Sequence, residues 1–246
     1  MHNIYLNNIT LIKNERKILS EVNVHFPKGK TSVIIGPSGC GKSTLLKVAA
    51  ALIPIDSGNI FVGDKNLFKM SPVDLLEFRK NSSFVFQDAA LWANKSVYQN
   101  MSLPLKLHYP NMENDIHDNK ILEMLRLVGY TDSIDLIPAA LSNGERKMVS
   151  LARALINSPE LIYMDNPLVL VDPSVAKKIK KLIMDIHNSN ATIIANFSSP
   201  ELIKKIADFL IVMKDGKIVE TGDIESILNS KNPNTAIIIS SLINHS

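Results

Sequence analysis

The stretch 36-GPSGCGKST-44 places Gly36, Gly41, Lys42 and Ser43 at the spacing G-x-x-x-x-G-K-[ST]. Glycines there let the backbone bend until successive N–H groups converge on phosphate oxygens. A helix opening at the same point adds the positive end of its dipole. The chemistry is nucleotide phosphate binding: Gly36, Pro37, Ser38, Gly39, Cys40, Gly41 and Thr44 form the cradle, Lys42 reaches the β- and γ-phosphates, and Ser43 ligates Mg²⁺. Cys40 occupies a free position of the motif and reads as an inert thiol. A second stretch, 161-LIYMDNP-167, is an apolar run that delivers Asp165 to a surface. Beside a phosphate loop, a carboxylate at a strand end holds Mg²⁺, usually through water. ATP and Mg²⁺ are therefore the implied cofactors. The residue after Asp165 is Asn166, where many ATPases carry a glutamate that polarises water.

Positioning these groups needs a strand before the loop, a helix after it and a second buried strand ending at Asp165. The sequence supplies all three. Residues 31–36, TSVIIG, form a short β-branched run suited to a fully buried strand, and 43-STLLKVAAAL-52 has helical composition. Strand-like stretches at 4–12 and 18–26 precede them. Residues 59–64 read as a hairpin arm turning at Gly63-Asp64, and 83–87 as another buried strand. Ser71 and Pro72 open a helix over 72–80. From about 88 to 157 the pattern is helical, with helices over 114–129, closed by Gly129, and 144–157. Strands and helices then alternate: 161–165, 174–188, 191–196, 200–208 and a hairpin over 209–222. The fold class is α/β: a P-loop NTPase core with a mostly parallel sheet, an N-terminal antiparallel β-subdomain and an inserted α-helical subdomain at about 88–157. Residues 1–246 form a single nucleotide-binding domain, with 231–246 as a C-terminal tail of unread role.

Bulk properties bound the rest. A hydrophobic fraction of 46% and a charged fraction of 21% are ordinary for a globular domain. The net charge of +3 with no basic block does not indicate nucleic acid binding. A single cysteine excludes an intramolecular disulfide and fits a reducing compartment. No apolar run reaches the roughly 20 residues of a transmembrane helix, and the N-terminus does not read as a signal peptide. Action at a membrane would go through a partner.

The order of motifs narrows the family. The segment 141-LSNGERKMVSLARALINSPELIYMDNP-167 resembles the signature-to-Walker-B segment of ATP-binding cassette (ABC) ATPases. Gln87 falls at the family's Q-loop glutamine, Asp172 at the D-loop aspartate, and 211-IVMKDGKIVETG-222 is similar to its closing hairpin. The resemblance covers residues 4 to about 228. It implies a head-to-tail pair of cassettes, as a homodimer or with an active cassette, and an integral membrane permease subunit. The implied location is the cytoplasmic face of the inner or plasma membrane. It also implies that Ser142 and Gly144 contact the γ-phosphate of the facing nucleotide and that Gln87 joins Ser43 and Asp165 at the metal. The stretch 84-FVFQDAALWANKSVYQNMSLPL-105 and the late 232-NPNTAIIISSL-242 are similar to the ATPase subunit of Mla-type phospholipid transporters. Trp92 lies in the first of these, either as a core residue or as a partner contact.

The chain departs from the family pattern in four respects, the third of them at two positions of the signature. Asn166 replaces the catalytic glutamate and has no basic site. Asn196 replaces the switch histidine; it can donate to a γ-phosphate but cannot become cationic. None of the six histidines falls at that site, so they read as surface or packing residues. In the signature, Asn143 stands for Gly and Glu145 for Gln. The adenine-stacking aromatic would fall near Lys13, and Tyr5 comes too early. General-base help is worth typically ~10²–10⁴ in rate, so ATP binding with weak or absent hydrolysis is expected unless Asp88 or Asp172 substitutes. Two readings stand: an energising transporter subunit, lipid-related by the finer resemblance, or a nucleotide-binding pseudo-ATPase that gates a complex. A soluble ABC factor of translation or repair fits less well in 246 residues.

Overall fold

A computed structural model describes residues 3–244. Strands β1 (Ile4–Lys13), β2 (Arg16–Phe26), β4 (Ser57–Val62) and β5 (Lys65–Asn66) form an antiparallel sheet in the order β2-β1-β4-β5. The second sheet has six strands: β10 (Lys217–Asp223), β9 (Phe209–Lys214), β3 (Thr31–Ile35), β8 (Thr192–Asn196), β7 (Leu161–Asp165) and β6 (Ser82–Val85), in that spatial order. Its pairs are parallel except β9–β10. The β1–β2 hairpin turns on Asn14 and Glu15, with φ of 48° and 63°. Two left-handed residues match the twist of a tight hairpin.

The helices are α1 (Lys42–Ala49), α2 (Pro72–Lys80), α3 (Val97–His108), α4 (Asn114–Val128), α5 (Asn143–Leu155), α6 (Pro173–Asn188), α7 (Pro200–Ile206), α8 (Ile224–Leu228) and α9 (Pro233–Asn244). Helices α3 to α5 lie between β6 and β7 in the chain, although those two strands are neighbours in the sheet. Every residue of β3, β7 and β8 is buried, as a sheet covered on both faces requires. The strand period of two divides them. Ile34, Tyr163, Ile194 and Ile211 pack in one cluster with α1 and the antiparallel sheet. Val33, Ile35, Met164 and Ile193 pack in the other with α3 to α6. Tyr163 is fully buried, and its hydroxyl donates to Ala49 O at 2.9 Å.

Three features differ from the sequence reading or go beyond it. The strand expected over 83–87 ends at Val85, so Gln87 sits on a loop. Helix α3 runs through Pro104, a residue that usually ends helices because it lacks an N–H. It forms because Ser96 and Gln99 make a full capping box and the buried residues Val97, Met101 and Leu105 recur on one face. Within the tail Pro233–Asn244 form a helix, while residues 245–246 lie outside the described residues: Ile238 and Ile239 of α9 enter the core, and buried Thr235 donates to Glu220 at 2.6 Å.

Candidate functional site

Strand β3 ends at Ile35 and feeds the glycine loop directly into α1. Gly36 must be glycine, since a Cβ there would lie 2.2 Å from Met213 O on β9. Gly41 caps α1 with φ 105° and no side-chain hydrogen bond, which leaves first-turn N–H groups to a ligand. Lys42 Nζ donates to Gly36 O at 2.8 Å and Pro37 O at 2.7 Å, folding back over its own loop. The Cys40 side chain is buried in the core beside Gly36, and desolvation pushes its thiol above the ordinary range.

A cleft of 660 Å³ opens above this loop. The residues that line it include Ser43, Thr44, Gln87, Asn166 and Asn196. Parallel pairing of β7 with β8 sets Asp165 opposite Asn196. Both are buried. Ser43 Oγ donates to Asp165 Oδ1 at 2.8 Å, and Asn196 Nδ2 donates to the same oxygen at 2.7 Å. The Asn196 amide is therefore drawn onto Asp165 instead of lying free toward a phosphate. A hydroxyl, a carboxylate and the Gln87 amide form a hard-oxygen donor set, which fits Mg²⁺ completed by phosphate and water.

Asn166 adopts φ 44°, a left-handed conformation that Asn tolerates better than most residues. Its N–H donates to Asn196 O at 3.1 Å, and its side-chain oxygen accepts from Ser198 Oγ at 3.0 Å. Neither candidate substitute base lines the cleft. Asp172 caps α6, accepting from Ser174 N at 2.9 Å and Val175 N at 3.0 Å, and hydrogen bonds from Ser174 and Val175 hold its carboxyl below the usual range. Asp88 is exposed on the loop after Gln87.

Where the sequence reading places the adenine, Leu11, Lys13 and Ile18 line the cleft, with no aromatic among them. Tyr5 stacks on His25 with ring centroids 4.5 Å apart and takes no part. Ser142 and Gly144 do not line this cleft. Ser142 caps α5, and Glu145 closes the box by accepting from Ser142 N at 2.6 Å. Gly144 packs so closely on α6 that a Cβ would meet Val175 Cγ2 at 2.9 Å. Asn143 accepts from Arg146 at 2.5 Å. Among the histidines, buried His117 pairs with Ser102 at 3.0 Å, and His187 with Thr31 at 2.9 Å.

Two residues that shape the Q-loop carry no sequence signal. Lys147, almost wholly buried in α5, donates to the carbonyls of Phe86 and Gln87, which turns Gln87's side chain toward the cleft. Burial lowers the Lys147 pKa, opposed by the charges of Asp88 and Asp165. Arg153 donates to Ala90 O at 2.9 Å and to the Asn100 side chain at 3.2 Å, and so holds Ala89 and Ala90 at φ 66° and 47°. Trp92, 52% exposed, follows this loop. A basic residue inside a signature helix reads as surface, which hides both.

The ABC transporter family profile matches residues 19–169. This chain belongs to the ABC transporter ATPase family. It is 34% identical over 220 residues to the methionine import ATP-binding protein MetN of Mannheimia succiniciproducens, covering 89% of this chain and 63% of that one. The MetN of Clostridium acetobutylicum is 34% identical over 225 residues, covering 91% and 70%. The chain thus spans about 63% of the length of the first of these relatives. Among solved structures, the dimeric cassette MJ0796, a bacterial ABC transporter cassette, superposes with a TM-score of 0.81 at 26% identity, covering 90% of this chain and 98% of that one. Its dimeric post-hydrolysis state bound to ADP and Pi gives a TM-score of 0.80 at 25% identity, with the same coverage. The expected fold class is the one found. The finer likeness to phospholipid transporters has no counterpart among these relatives, which are named for methionine import. Among the described residues no helix is long and apolar enough to cross a membrane.

Proposed function

We propose that this chain is the nucleotide-binding subunit of an ABC importer, one that holds Mg-ATP and cleaves it slowly or not at all. The reading is carried by Asn166, an amide without a basic site at the mouth of the cleft, its oxygen accepting from Ser198. On ligand arrival Lys42 exchanges the Gly36 and Pro37 carbonyls for phosphate oxygens, and uncapped N–H groups of α1 complete the cradle. Ser43, Asp165 and Gln87 are the residues that would hold Mg²⁺, which when bound neutralises phosphate charge. Asn196 then releases Asp165 and is free to donate to the nucleotide. Among the described residues lining the cleft there is no carboxylate to take the proton of an attacking water, and Asp165 beside Ser43 is committed to the metal. From a median enzyme rate of ~10 s⁻¹, loss of the base alone leaves roughly 0.1–0.001 s⁻¹.

The partners are a second cassette, either a copy of this chain or an active one, and an integral membrane permease at the cytoplasmic face of a membrane. Ser142 and Gly144 lie outside their own cleft, which suits contact with a facing nucleotide. Methionine import is the substrate reading that the relatives support, and phospholipid transport rests on residues 84–105. Identifying the permease that copurifies with the chain separates the two. Hydrolysis is tested by phosphate release from the purified chain, with Lys42→Ala as the contamination control and nucleotide binding measured in parallel. Release equal to the control with ATP still bound is expected. Turnover above about 1 s⁻¹ that vanishes in Lys42→Ala would overturn the slow-hydrolysis reading.

A further inference from the structure

Away from the nucleotide cleft, a groove of 680 Å³ runs between α6 and α7. Met184 and Leu202 line it together with Lys177, Lys181 and Lys205. Met184 is 37% exposed, whereas Val175, Ile179 and Ile183 of the same helix are buried. It lies three residues after Lys181 and seven after Lys177, so the three share one helix face. The two helices carry six lysines (Lys177, Lys178, Lys180, Lys181, Lys204, Lys205) against Asp185 and Glu201, a net of +4. Five of these lysines, all but Lys204, line the groove with the same two carboxylates, a net of +3 that equals the charge of the whole chain, so positive potential is concentrated here.

The rim is braced. Glu201 accepts from Lys205 at 2.9 Å and from Lys180 at 3.3 Å, tying α7 to α6. These two ammonium groups hold the Glu201 carboxyl below its usual range. Among the described residues Lys177 and Lys181 make no ion pair. The groove thus offers free positive charge beside one exposed apolar side chain, Met184, and the methylene stems of its lysines. Phosphate, or a flat anionic bilayer, would use the charge and leave Met184 uncovered; Leu202, 2% exposed, is already packed into the core at the base of the groove. An acidic amphipathic helix uses both, with apolar side chains at i, i+3, i+4 and i+7 filling the groove and flanking carboxylates meeting the lysines.

We propose that the α6–α7 groove is a docking site for an acidic amphipathic helix of a partner protein. The site is independent of the slow-hydrolysis reading. Helix α6 is capped by Asp172 soon after β7, and α7 by Ser199 soon after β8. A segment seated between them bridges the two helices that leave the strands of the nucleotide site.

The test uses a labelled synthetic helical peptide with a leucine ridge flanked by glutamates, titrated with the intact chain at physiological salt by fluorescence anisotropy. A scrambled peptide of the same composition and phosphatidylglycerol-containing vesicles serve as competing probes. Saturable binding is expected, weakened at least about tenfold by scrambling, by the pair Lys177→Glu and Lys181→Glu, and separately by Met184→Asn. All three substitutions are at exposed positions, and melting curves confirm that each variant folds. No saturable binding overturns the proposal, as does equal binding of the scrambled peptide. Loss in the lysine variant without loss in Met184→Asn reduces the groove to a bare charge patch and also overturns it. Vesicle binding through the same lysines, with no peptide binding, assigns the face to a membrane surface instead.

Discussion

The side chain of Asn166 separates holding a nucleotide from cleaving it. Glutamate there would restore a base, at a cost of about 1–2 kcal/mol for a left-handed backbone that Asn accepts more readily. Asn166→Glu is expected to raise phosphate release by at least about tenfold, and Asn166→Glu with Asn196→His further, while Lys42→Ala in either background abolishes it. Unchanged release in both variants would show that something other than the missing base limits the chemistry. The hydroxyl of Tyr163 is a stability matter instead. Its bond to Ala49 O joins β7 to the end of α1 inside the core, and burial raises its pKa far above the ordinary tyrosine value. Tyr163→Phe should destabilise by about 1 kcal/mol, read by denaturant titration, with nucleotide affinity unchanged.

At the scale of elements, α5 meets α6 at Gly144 with no room for a side chain. Gly144→Ala puts a methyl 2.9 Å from Val175 Cγ2, so the Val175 side chain or the helices must shift. A cost of about 1–3 kcal/mol is expected. Gly144→Ala with Val175→Ala should recover most of it, which a double-mutant cycle on melting midpoints measures. Failure of the second change to rescue would place the strain elsewhere. The Q-loop depends on its neighbours in the same way. Lys147 and Arg153, both on α5, hold the carbonyls on either side of Asp88, so the helix that begins at the signature also shapes the loop bearing Gln87.

Over the whole molecule, α9 packs against β10, the edge strand of the six-stranded sheet. Its Ile238 and Ile239 are buried, and Glu220 of β10 accepts from Thr235 and Ser230, each at 2.6 Å. Those two bonds depress the Glu220 pKa. A depressed carboxylate contributes stability that is complete above its ordinary value of 4.5 and is lost as pH falls through the lower folded value. Helix α9 should therefore loosen in acid before the parallel sheet does. Hydrogen exchange over 233–241 checks this, and Glu220→Gln should flatten the pH dependence. Equal protection of α9 at neutral and acid pH would refute the assignment.

Much of this was legible in the chain itself, because the signals were local. The spacing of Gly36, Gly41, Lys42 and Ser43, the apolar runs ending at Ile35 and Asp165, and the Ser71-Pro72 helix start each depend on backbone geometry within a few residues. The family resemblance rested on the same contiguous motifs. Other features depended on groups distant in sequence. The Asn196 bond to Asp165 arises from parallel pairing of β8 with β7, and the tie between Asn166 and Ser198 from the loops that leave those strands. Helix α3 survives Pro104 through its capping box and buried face. Lys147 is buried because two carbonyls sixty residues away accept from it, and the tail is ordered because Glu220 and the core receive it. Local conformation follows from neighbours in the chain, whereas the orientation of a polar side chain follows from whichever partner the fold brings within hydrogen-bonding distance.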